Sequence, residues 1–186
     1  MEKLLLLALS VLLTLAGCAA PAGPEEPTVW LDCLEHPEEM SWDETRELEL
    51  PGAYPGVTFR WTASQVSALA DDQEEVLFGG MPVWSVFLAD LNGDGKPELC
   101  ANASWGSGMI NEQVLVYDYA AKTLYTLEDR GIKDYTLSIR EGRLVVTEWA
   151  YPAWPLDPDA EGITGTLALT ADPSGEAVIE IVYDGT

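Results

Sequence analysis

From Thr45 onward the chain is cut into short runs rich in β-branched and aromatic residues, with turn residues between them roughly every eight to twelve positions. That cadence constrains the fold more than any other feature, because it leaves no stretch long enough for a helical layer. The runs fall at residues 46–50, 57–62, 83–89, 98–104, 113–119, 123–128, 133–139, 144–149, 164–170 and 177–183. In residues 133–139, Tyr135, Leu137 and Ile139 share one face and Asp134, Thr136 and Ser138 the other, the period of a half-buried strand. One helical candidate stands out, residues 62–69, where Thr62-Ala63-Ser64-Gln65 can open a turn or two. Sequence-adjacent strand pairs predict a mainly β domain over residues 45–186, an antiparallel meander forming a sandwich, a barrel or a propeller-like pair of sheets.

The N-terminal part has another character. Residues 4–15 are an apolar, Leu-rich run behind Lys3, too short to span a bilayer, and they end in Leu15-Ala16-Gly17-Cys18. This is the layout of a bacterial lipoprotein signal: small residues admit the peptidase, and the Cys18 thiol accepts a diacylglycerol whose two acyl chains anchor stably. The expected organisation is a signal peptide at 1–17, a Pro/Glu-rich tether at 18–44 and the β domain, held on the outer face of the cell membrane. Trp30, Leu31 and Leu34 interrupt the tether as a short apolar patch that can dock on the domain, which puts the start of order near residue 28.

Charge narrows the partners. With 32 Asp+Glu against 9 Lys+Arg the chain carries −23, which repels nucleic-acid phosphates and attracts cations. No nucleic-acid ligand is expected, although an acidic surface also simply keeps exported proteins soluble. Besides Cys18 there are Cys33 and Cys100, which outside the cell can form one disulfide; Cys100, inside a strand run, reads equally as a small core side chain.

The chemistry concentrates in residues 90–98, Asp-Leu-Asn-Gly-Asp-Gly-Lys-Pro-Glu, between two strand runs. Asp90, Asn92, Asp94 and Glu98 put oxygen-bearing side chains at alternating positions, the Lys96 carbonyl is available between them, and Gly93 and Gly95 let the chain curl. Hard oxygen donors in that order suit calcium. Asn-Gly and Asp-Gly also form hairpin turns without metal. Three acids so close together, however, repel one another unless a cation lies between them. The loop is no EF-hand, because the twelfth position is Ala101 and the flanks are strands. It resembles the calcium loops of FG-GAP-type β repeats, and that resemblance implies Asp90, Asn92, Asp94 and Glu98 as side-chain ligands and Lys96 as a carbonyl ligand.

A wider resemblance rests on Thr58-Phe59-Arg60-Trp61-Thr62, on residues 80–90 and 98–101, on Ser104-Trp105-Gly106-Ser107-Gly108 and on Val116-Tyr117-Asp118-Tyr119. Together these are similar to an extracytoplasmic domain of clostridial gut bacteria, found in lipoproteins and fused behind membrane metallopeptidases of β-lactam-sensor type. Peptidase activity does not follow, since the His-Glu-x-x-His helix is absent and His36 is the chain's one histidine. The resemblance implies an exposed accessory or sensing module.

His36 lies in the Pro/Glu spacer with Cys33, a poor foundation for nucleophilic catalysis. With this many acids a carboxylate-pair glycoside hydrolase stays open as the enzymatic alternative. Binding has better candidates: Trp149, Tyr151 and Trp154 alternate with prolines in a long connection, and Trp105 adjoins a Gly/Ser turn. Such rings serve as platforms for cell-wall, glycan or protein ligands, or they cap the ends of the core. The sequence therefore predicts a non-catalytic, calcium-stabilised binding or sensing module, with a structural cell-surface interaction protein as the alternative.

Overall fold

The computed structural model describes residues 26–152 and 161–185. Thirteen strands form three antiparallel sheets. β1 (Thr28–Asp32) precedes a single 3-10 turn (Pro37–Glu39) and a first meander of β2 (Thr45–Glu49), β3 (Thr58–Thr62), β4 (Gln65–Ala70) and β5 (Gln73–Gly79). A second meander runs through β6 (Val83–Ala89), β7 (Glu98–Trp105), β8 (Asn111–Asp118) and β9 (Thr123–Leu127). The third comprises β10 (Lys133–Arg140), β11 (Arg143–Ala150), β12 (Ile163–Ala171) and β13 (Ala177–Tyr183). Each meander is one four-stranded sheet, and β1 adds a fifth strand to the middle one by pairing with β6.

The middle sheet is buried on both faces, and its sequence shows how. Along β7, Leu99, Ala101 and Ala103 enter a core shared with Phe59, Trp61 and Val66 of the first sheet. Cys100 points the other way, into a core with Phe87, Val116, Leu137 and Val146 that faces the third sheet. Small residues predominate on β7, with Cys100, Ala101, Ala103 and Ser104 between Leu99 and Trp105, so three layers stack without clash. The Trp61 indole crosses between layers, donating to the Val83 carbonyl at 3.1 Å.

The third sheet is fixed by its edge. Strand β10 is an edge strand, and its free backbone groups find partners in the middle sheet. Buried Asn102 accepts from the Leu137 N–H at 2.6 Å and donates to the Leu137 carbonyl at 3.1 Å. Asn111 donates to the Lys133 carbonyl at 2.7 Å and to Asp134 at 2.8 Å, and Asp134 also accepts the Glu112 N–H at 2.8 Å.

The mainly β class and the antiparallel meander are as expected, and the arrangement is stacked sheets, three of them rather than a pair. Two readings change and one left open is resolved. Residues 65–70 form β4, not a helix, and with β5 they complete the first meander. Residues 28–34, inside the expected tether, belong to the fold, with order beginning near residue 28 as their apolar patch suggests: Leu31 is 2% exposed and the Cys33 N–H donates to the Trp84 carbonyl. Cys33 and Cys100 are both free and buried in different cores, so no disulfide joins them. Cys100 is the small core side chain that its strand context suggests.

Candidate metal centre and ligand groove

The loop of residues 90–98 connects β6 to β7, and its fold follows from its short polar side chains. Asp90 accepts three backbone N–H groups, those of Gly93 and Asp94 at Oδ1 (2.7 and 3.1 Å) and that of Gly95 at Oδ2 (3.0 Å). Asn92 Oδ1 accepts from Asp94 N–H, and Asp94 Oδ1 from Lys96 N–H, each at 2.8 Å. Such local bonds wind the chain into a tight coil. The coil requires φ of +76° at Gly93 and +82° at Gly95; a Cβ at either would meet nothing within 4 Å, so conformation rather than space selects glycine.

Glu98 closes the coil from beneath. It is 1% exposed, and it accepts the Leu91 N–H at 2.6 Å and the Asn92 amide at 2.7 Å. The same amide reaches Asp118 Oδ2 at 3.3 Å, while Asp118 Oδ1 accepts the Ala121 N–H at 2.8 Å. Asp118 is the site residue that sequence reasoning missed. It ends β8, and only the pairing of Leu99 with Tyr117 carries it to the loop. Tyr54 completes the surroundings, its hydroxyl donating to the Pro97 carbonyl at 3.0 Å.

The electrostatics are those of crowded anions. Burial pushes Glu98 up to about 7, against the Leu91 N–H, and the charges of Asp118 and Asp90 push the same way. Burial, then Glu98, Asp118, Asp94 and Asp90, raise the Tyr54 phenol. Lys96 lies with its ammonium 6.0 Å from the Tyr54 ring centre. The structure thus brings Asp90, Asn92, Asp94 and Glu98 together, with Lys96 on the same coil. Their side chains do not converge: among the described residues no three His, Cys, Asp or Glu side chains stand as a ready metal cage. The donor set still fits a hard cation, because every carboxylate oxygen except Asp90 Oδ1, which accepts two N–H groups, keeps a lone pair beyond the hydrogen bond it accepts, and four carboxylates adjoin one coil.

A groove of about 380 Å³ opens at the other end of β7 and β8, lined among others by Phe78, Trp105, Gln113, Leu124, Glu128 and Arg130. The Trp105 indole N–H donates to the Gln113 side-chain oxygen, and the Gln113 nitrogen donates to Glu128 at 2.9 Å. Trp105 therefore stays 44% exposed while fixed in orientation. Of the other predicted platform residues, Trp149 lies on β11 with its indole donating to Thr136 at 3.1 Å, and the Tyr151 N–H donates to the Ile132 carbonyl. Neither lines the groove, so Trp105, Trp149 and Tyr151 do not form one surface. Trp154 and Cys18 lie outside the described residues.

Next to the groove a buried polar network ties β6, β7 and β8. The Trp84 indole donates to Ser104 at 2.7 Å, and the Ser104 hydroxyl donates to Glu112 at 2.6 Å. Burial pushes Glu112 up to about 7; Ser104 opposes this and Asp134 adds to it. Cys33 is buried and its thiol is pushed up by that burial, so it is a poor nucleophile. No family model matches this chain, and no curated protein or solved structure proved similar to it.

Proposed function

We propose that this chain is a membrane-anchored, extracytoplasmic binding or sensing module, stabilised by calcium and without catalysis. The observation that carries the reading is the acidic coil of residues 90–98, closed by buried Glu98 and by Asp118 from the neighbouring hairpin. A divalent ion held by Asp90, Asn92, Asp94, Glu98 and the Lys96 carbonyl would neutralise this cluster and pin the β6–β7 connection to β8. Extracellular calcium modules need dissociation constants of only about 10⁻⁴ to 10⁻³ M, which matches an exported, lipid-anchored protein. The resemblance to clostridial lipoprotein domains supports the same address, with Cys18 as the lipidated residue.

Ligand binding falls to the groove at Trp105, remote from the acidic coil along β7. A second reading, a structural protein that docks another chain, draws on Met81, Met109, Ile110 and Ile132, all more than 45% exposed and all in connections at the groove end of the middle sheet.

Terbium luminescence tests the ion site, since terbium takes oxygen ligands as calcium does and is excited through a nearby phenol, here Tyr54. Sensitised emission that calcium displaces and that Asp94→Ala abolishes is the expected result. Emission that is absent, or unchanged in Asp94→Ala, counts against the site.

A further inference from the structure

We infer that the groove beside Trp105 takes an acidic saccharide, with the sugar ring on the indole face and its carboxylate on Arg130. This rests on the binding-module reading and names its ligand class. An exposed indole flanked by a carboxylate offers what a pyranose needs: a flat apolar face for its C–H groups and a planar polar group for its hydroxyls. Exposed Glu128, positioned by the buried Gln113 amide, supplies the polar group, and Leu124, 43% exposed, widens the apolar floor. Because Gln113 already holds the indole N–H, the ring is fixed before binding and little further ordering is required.

Arg130 sets the charge of the ligand. In a chain with 32 acidic and 9 basic residues, Arg46, Arg60, Lys122, Lys133 and Arg143 pair with carboxylates, whereas Lys96, Arg130 and Arg140 have no ion pair among the described residues, and of these three only Arg130 lines the groove. Arg130 is exposed on the groove and has no ion pair among the described residues. A guanidinium left open in so anionic a molecule is a fork for an incoming carboxylate. Glu128 on the same rim is held by Gln113 and accepts ligand hydroxyls. A peptide carboxylate would suit Arg130 too. The groove, however, lies on the face of β7, β8 and β9, where side chains stand out and the backbone groups, the free row of edge strand β9 included, point along the sheet plane, leaving side chains to recognise the ligand.

The test is titration of the mature chain, following indole N–H resonances in ¹H–¹⁵N spectra, with matched pairs: glucuronate against glucose, and N-acetylmuramate against N-acetylglucosamine. Acetyl-Ala-Ala serves as the peptide carboxylate. The acidic member of each pair is expected to bind at least tenfold more tightly than the neutral one. Arg130→Gln should erase that preference, and Trp105→Ala should abolish binding of both; both residues are exposed, and circular dichroism checks that the variants fold. Equal binding of neutral and acidic sugars, unaffected by Arg130→Gln, overturns the inference and leaves the binding reading standing. Binding of the peptide alone overturns it as well. If no probe moves any indole resonance, this inference and the ligand-binding reading of the groove both fall.

Discussion

Buried carboxylates and amides define this molecule at the residue scale, and each makes a prediction. Glu112 has its folded value raised to about 7 from 4.5. The folded state therefore holds a proton that the unfolded state releases between those limits. The Glu112 contribution to stability is fully present below pH 4.5, declines as pH rises toward 7 and is absent above. Glu112→Gln keeps an acceptor for Ser104 without the charge. It should match the native chain at pH 4 and exceed it at pH 8, by up to about 3 kcal/mol, in urea unfolding. An equal difference at both pH values would contradict the assignment. Asn102 gives the complementary case: Asn102→Ala strands the Leu137 N–H and carbonyl in the core and should cost about 2 kcal/mol or more, whereas an exposed amide would cost almost nothing.

At the scale of elements, β1 is the sharpest test of where the domain starts. Leu31 is buried in the core between the first and middle sheets, so Leu31→Ala should lower stability by about 2–5 kcal/mol in equilibrium unfolding; a flexible tether would tolerate the change. The strands legible in the sequence were those whose β-branched and aromatic residues outnumber their neighbours, as in β3, β6, β8 and β10. β1 escaped as a strand because prolines and glutamates surround it, and only its Trp30–Leu34 patch pointed to docking. β4 reads Gln-Val-Ser-Ala-Leu-Ala, whose Ala68, Leu69 and Ala70 favour a helix, and tertiary pairing with β3 and β5 overrides that preference. β5 begins Gln-Glu-Glu with exposed side chains, a solvent-facing edge that hydrophobic patterning does not mark. The acidic coil was legible because its residues are consecutive. Asp118 and the Gln113–Trp105–Arg130 groove were not, because strand register and layer stacking assemble them from distant positions.

For the whole molecule, the two sites lie at opposite ends of the middle sheet. β7 runs from Glu98 beneath the acidic coil to Trp105 at the groove, about 23 Å at the rise of an extended strand. Glu26 lines a pocket with Asp90 and Leu91, so the chain enters the fold at the acidic end. An anchor at Cys18, as proposed, would lie eight residues earlier and thus within about 28 Å, and would hold the acidic coil toward the membrane and the groove outward. Calcium would there offset repulsion between the coil and anionic headgroups. Scanning calorimetry of the mature chain, with and without 10 mM calcium, tests this account most directly at about 10 to 100 times the expected dissociation constant. The expected result is about 1.5–3 kcal/mol of stabilisation, a rise of several degrees in Tm that Asp94→Ala removes. A Tm unmoved by calcium in the native chain would contradict it.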